Sequence, residues 1–186
     1  MDPQLWWYTA RAGGIVALVL ASTSVIWGLL LSTRILQGRP SAAWLLDLHR
    51  FLGGAAVIFT GIHLAGLVAD TYVHFGVADL LVPFASEWKT WAVAWGIVAF
   101  YLLLAVELSS LVMRRIPRRW WKQIHLTSYA MFWLGVLHGA TAGTDAGNPV
   151  YVGSMVGLIV LVSGLTLHRI VTARKFRGVF TASTPA

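Results

Sequence analysis

Six histidines carry most of the ligating chemistry available to this chain: His49, His63, His74, His125, His138 and His168. Four of them form two spaced pairs. His49 and His63 are fourteen residues apart, and His125 and His138 thirteen. A neutral imidazole can bind a metal through one ring nitrogen, carry a proton, or hydrogen-bond across a helix interface. There is no cysteine, which excludes a disulfide framework, a thiolate metal site, an iron–sulfur cluster and a cysteine nucleophile. Paired imidazoles are then left with axial ligation of an iron porphyrin, a proton relay, or plain interhelical hydrogen bonding.

The elements that must position these rings follow from composition. Of 186 residues, 58% are hydrophobic and only 11% charged, and the mean hydropathy is +0.72. A soluble domain carries about 25% charged residues, so this chain cannot cover a water-facing surface, and a soluble enzyme is excluded. Five stretches approach the roughly 20 apolar residues that a membrane helix needs: residues 12–32, 42–69, 90–113, 123–142 and 150–168. The expected fold is all-α, a polytopic membrane helix bundle of five transmembrane helices. Residues 1–177 form the membrane domain, and 178–186 a short mobile tail. The start, with Asp2 and the cluster Trp6, Trp7, Tyr8, lacks the basic region of a cleavable signal.

The net charge of +7 is a membrane pattern rather than a nucleic-acid footprint, because the cations sit in short clusters between apolar runs. Arg34, Arg39, Arg50, Arg114, Arg115, Arg118, Arg119, Lys122, Arg169, Arg174, Lys175 and Arg177 fall on one side, leaving only Arg11 and Lys89 of the fourteen on the other. By the positive-inside rule the crowded side is cytoplasmic, so the N-terminus lies outside and the C-terminus inside. Trp44, Trp88, Trp120, Trp121 and Tyr151 fall near span ends, where aromatic belts form.

Spans two and four then run in the same direction. His49 and His125 share an inner level, His63 and His138 an outer one, and each level offers one imidazole from each helix. That arrangement suits clamping an iron porphyrin between parallel helices. Fourteen residues of helix cover about 21 Å and return His63 to within about 40° of His49, which leaves room for two haems, one near each face. Thirteen residues leave His138 about 140° from His125 on an ideal helix, a mismatch that a bulge, tilt or supercoil has to absorb. Gly53, Gly54, Gly61 and Gly135 are small neighbours past which a flat macrocycle could approach, although glycine also serves ordinary membrane-helix packing.

On two segments, "LHRFLGGAAVIFTGIH" ending at His63 and "WKQIHLTSYAMFWLGVLHG" with His125 and His138, the chain resembles the ferric-reductase-like transmembrane domain family. That family includes the membrane parts of ferric reductases and NADPH oxidases, and the haem-binding membrane subunit of a bacterial methionine sulfoxide reductase system. The resemblance covers roughly residues 44–174. Its spacing of fourteen and then thirteen is that of the two-haem members. It implies that His49 and His125 ligate an inner b-type haem through iron, and His63 and His138 an outer one. The two-haem oxidases carry six spans and a fused flavin and nicotinamide domain. This chain shows five spans, no glycine-rich nucleotide fingerprint, and a tail after Arg177 too short for such a domain, so it looks like a stand-alone module of a cell membrane.

The other polar groups divide by level. Arg50, Arg118 and Lys122 lie near the inner histidines and are candidate propionate contacts. The outer propionates are left to Tyr72, Thr141, Thr144 or water. Glu107 is the one carboxylate well inside a span, where an unpaired charge costs about 2.5 kcal/mol or more, and Arg34 and Arg50 are candidate partners. The alternatives for it are snorkelling or a proton or quinol role. His168 is an interface residue beside Arg169, or a further group at the inner level. His74 is an exposed loop histidine, or with Asp70 and Asp79 a metal site. Residues 77–84 read as an amphipathic segment on the membrane surface.

The function expected is transmembrane electron transfer by a cytochrome b-type oxidoreductase component. A separate flavoprotein or quinol would donate at the cytoplasmic face. A metal ion, oxygen or a partner protein would accept outside. One haem cannot bridge the apolar core at a useful rate, so two are expected. The alternatives are a haem-anchoring subunit of a larger reductase without its own activity, and a histidine-lined transporter of metal ions or protons.

Overall fold

In the computed structural model, the described residues are 4–33, 35–36, 41–71 and 73–182, with side chains described to residue 172. They form seven helices and no strand: α1 Leu5–Thr33, α2 Ala42–Ala69, α3 Val77–Leu81, α4 Thr90–Leu111, α5 Arg118–Leu126, α6 Ser128–Ala142 and α7 Pro149–Ala182. Four are long and apolar enough to cross a membrane: α1, α2, α4 and residues 149–172 of α7. Their outward faces carry Phe51, Ile58, Trp91, Leu108, Leu111, Val160 and Leu167, all exposed. Such a surface is stable against lipid tails and not against water.

The fourth expected span is divided. The chain between residues 118 and 142 forms two helices, α5 and α6, that meet at Thr127. The Ile124 carbonyl accepts from the Thr127 N–H at 3.0 Å and from its Oγ1 at 2.6 Å. A three-residue turn of this kind rotates the chain faster than an α-helix does, and a threonine hydroxyl bonded to the preceding turn favours a bend. α6 alone has 15 residues, short of a full span. Two other boundaries move. α1 begins at Leu5, and α7 continues to Ala182, so residues 178–182, expected as a mobile tail, extend a helix.

α1 is the hub, packed along α2 and also against α6 and α7, while α4 packs along α6. The buried core joins all of these: Val25 and Leu29 of α1, Ala56 of α2, Leu103 of α4, Phe132 of α6 and Val162 of α7. Without a hydrophobic force between helices in lipid, close packing depends on small residues. A Cβ on Gly66 would lie 2.7 Å from the Ala10 backbone nitrogen, so α1 and α2 touch there backbone to backbone. The segment expected at the membrane surface is the single short helix α3, whose Leu80 packs with Phe75, Val93 and Ile97.

Candidate haem site

The bundle brings the four paired histidines together as two couples of closely spaced rings. His49 on α2 and His125 on α5 have ring centroids 5.9 Å apart with planes at 71°. His63 on α2 and His138 on α6 are 6.2 Å apart at 75°. An imidazole nitrogen binds a first-row metal at about 2 Å, so two rings ligating one ion from opposite sides have centroids roughly 6 Å apart. Both pairs have that separation.

Three of the four rings are pinned from behind. His49 Nδ1 lies 2.9 Å from the Ser24 carbonyl, His63 Nδ1 2.6 Å from that of Ala10, and His138 Nδ1 2.9 Å from that of Ala92. A carbonyl only accepts, so in each ring Nδ1 carries the proton and donates it. Nε2 then keeps its lone pair. A fixed tautomer with a backbone acceptor behind it is the usual support of a metal-ligating histidine.

A glycine lies one turn beyond each of those carbonyls and gives the ring its seat. A Cβ on Gly14 would lie 2.9 Å from His63 Nδ1, one on Gly28 3.3 Å from His49 Cε1, and one on Gly96 2.6 Å from His138 Nδ1. The spacing on α1 copies that on α2. Ala10 and Ser24 are fourteen residues apart, as are Gly14 and Gly28, and as are His49 and His63. Two antiparallel helices in constant register thus present the same carbonyl-and-glycine seat twice. Sequence reasoning missed this role of α1, although the repeat is visible in "ARAGG" and the stretch from Ser24 to Gly28. Of the glycines expected to admit a macrocycle, Gly135 meets Leu18 at 3.4 Å, while Gly54 and Gly61 face open space.

A cavity of about 300 Å³ surrounds the His63–His138 pair. Its walls are apolar, among them Leu18, Ile97, Phe100, Leu103 and Phe132, and one margin is polar, with Arg11, Thr144, Asp145 and Tyr151. Arg11 and Asp145 form an ion pair there. Arg11 donates from Nε to Asp145 Oδ2 at 2.7 Å and from Nη2 to the other oxygen. Sequence reasoning had left Arg11 as one of two stray outer cations. The other, Lys89, donates to the Thr141 carbonyl at 3.0 Å, and Tyr72 lies outside the described residues. Pinned tautomers, matching separations, an apolar slot and a cation at its margin together fit an iron porphyrin.

The cations expected at the inner level are more open. Arg118, Arg119 and Lys122 are exposed on α5, and Arg50 pairs with Asp47 at 3.7 Å on the surface of α2. Of the two candidate partners of Glu107, Arg50 pairs with Asp47 instead, and Arg34 lies outside the described residues. The Glu107 carboxylate instead lies against Gly53 of α2, in the space a Cβ would fill. His168 is exposed on α7, while its neighbour Arg169 donates to the Tyr129 hydroxyl at 3.1 Å. His74 sits in the loop between α2 and α3 at a positive φ of 57°. Asp79 accepts from the Gly76 N–H at 2.8 Å, and no group of three or more His, Asp or Glu gathers among the described residues.

No curated protein and no solved structure matches the chain. A family model does, over residues 11–136. The matched region takes in most of α1 with the Ser24–Gly28 seat and Gly14, three of the four paired histidines and the break at Thr127; it begins one residue after Ala10 and ends just short of His138. It covers more than half of the sequence, and by it the chain belongs to the family described as ferric reductase like transmembrane component.

Proposed function

We propose that this protein carries electrons across a cell membrane through two b-type haems, from a cytoplasmic-side donor to an extracytoplasmic acceptor. The observation that carries the reading is the pair of imidazole couples, each about 6 Å between centroids, with Nδ1 pinned on three of the four rings. Haem held by two histidines supplies a six-coordinate one-electron carrier that changes oxidation state with little movement. His49 and His125 would hold the inner group, His63 and His138 the outer.

Arg11 suits an outer propionate, since a guanidinium has five N–H donors and Asp145 uses two of them. Arg50, Arg118 and Lys122 suit the inner one. α5 and α6 together would act as the fifth span, with the cationic α5 at the cytoplasmic surface. A flavoprotein or quinol is the proposed donor. A metal ion, oxygen or a partner protein is the proposed acceptor.

Extraction into acidified organic solvent should release all the haem, at about two per chain, because no cysteine is present to attach it covalently. If the ring planes stay 71° and 75° apart with haem bound, two iron d orbitals would be close in energy. The ferric protein should therefore give strongly anisotropic low-spin resonance signals. A colourless protein would overturn the reading and favour a histidine-lined transporter, and a ratio near one would reduce it to a single-haem path.

Orientation is tested separately. A reporter active only in the cytoplasm, fused after Ala186, should work. Activity from an export-dependent reporter at that position instead would exchange every inner and outer label.

A further inference from the structure

The two histidine couples are not equivalent. The outer couple has both Nδ1 atoms bonded to backbone carbonyls, of Ala10 and Ala92. In the inner couple only His49 is bonded in this way, with the Ser24 carbonyl at 2.9 Å and the Ser24 hydroxyl at 3.1 Å. His125 Nδ1 is buried with no hydrogen-bond partner among the described residues. The same step that leads from His138 back to His125 leads along α4 from Ala92 to Ala105 and from Gly96 to Ser109. The glycine seat is therefore not repeated, and the Ser109 hydroxyl turns back to the Val106 carbonyl of its own helix at 3.1 Å. The break at Thr127 also takes His125 out of the helix that carries His138.

The contact that His125 does make is with the Trp121 side chain, over the face of its ring. Trp121 lies one turn before His125 on the same face of α5, and its ring stacks on the imidazole at 5.0 Å with planes 25° apart. Its own Nε1 reaches Ser110 Oγ of α4 at 3.4 Å, which ties the stack to the bundle. A stacked ring fixes the plane of an imidazole. It offers no acceptor to Nδ1, so it neither selects the tautomer nor raises the basicity of Nε2.

We propose that Trp121 is the positioning residue of the inner site and that His125 is the weakest-held of the four ligands, so that the inner haem is the exchangeable one. This rests on the two-haem reading. Loss of a ligand's supporting partner typically costs 10–100-fold in metal affinity, so the inner group should leave at least about tenfold faster than the outer.

The purified holoprotein is mixed with excess apomyoglobin as haem acceptor, and transfer is followed by absorbance. Two phases of equal amplitude are expected. His138→Ala, which leaves only the inner group, should show the fast phase alone, and His49→Ala, which leaves only the outer, the slow one. Trp121→Leu should accelerate the fast phase or remove its amplitude, with the slow phase unchanged. Trp121→Phe, which keeps a ring to stack, should restore it. A general loss of structure would move both phases together. Equal loss from both sites in the unaltered protein, or earlier loss from the outer site, would overturn the inference whatever becomes of the variants. A protein that binds no haem would instead overturn the proposed function.

Discussion

A chain carrying His138→Ala is expected to hold about one haem in place of about two, and to lose electron delivery to the outer face. His138 is one of two outer imidazoles, 6.2 Å from His63. Its removal leaves a single nitrogen on that side and a void in the cavity wall. The inner couple is built on α5 and the other end of α2, so its haem should stay and remain reducible from the cytoplasmic side. The distance left to the outer surface is then a large part of an apolar core about 30 Å thick, and tunnelling rates fall exponentially with distance. Haem content by extraction, cytoplasmic reduction by absorbance, and acceptor reduction outside are the three measurements. Undiminished outside reduction by a variant proven to hold only the inner haem would refute a relay of two carriers.

The second large effect is expected at a residue with no chemistry of its own. Gly96→Leu should remove the outer haem nearly as well as loss of the ligand does. A Cβ there would sit 2.6 Å from His138 Nδ1 and 2.8 Å from its Cε1, closer than atoms can approach. The ring would have to leave the Ala92 carbonyl and the axis it shares with His63. Overpacking of this kind costs about 1–3 kcal/mol in stability, and the displaced donor about 10–100-fold in affinity. Gly157→Leu is the control. Gly157 lies exposed on α7 with nothing within 4 Å of where a Cβ would stand, so the substitution should not destabilise the helix and should add up to about 1 kcal/mol of helix propensity. Equal haem content in the two variants would show that the glycine seat does not hold the ligand.

Gly96 was not readable as a seat from the sequence, and the reason separates two kinds of information. Hydropathy, charge placement and histidine spacing are local properties of a chain. Long apolar runs make α1, α2, α4 and α7 long and apolar enough to cross a membrane, and a single segment that crosses has to be helical, because an unpaired backbone is too costly in lipid. Clusters such as Arg114 to Lys122 between apolar runs set the expected orientation. The fourteen-residue step puts His49 and His63 on one face of α2 by helical geometry alone.

Only tertiary structure decided what stands behind those rings. That α1 lies antiparallel to α2, in the register that sets Ala10 against His63 and Ser24 against His49, depends on backbone approach at Gly13 and Gly66 and on the room Gly14 leaves for the His63 ring. No local signal says which helix a glycine will meet. The thirteen-residue step, out of phase on an ideal helix, spans the break at Thr127, whose N–H and Oγ1 both bond the Ile124 carbonyl. The sequence showed the mismatch, and the structure puts His125 and His138 on separate helices. Arg11 and Asp145 lie 134 residues apart and become a pair only because α1 passes the loop between α6 and α7. Glu107 rests on Gly53, because packing of α4 on α2, and not charge, determines what a side chain meets inside the bundle.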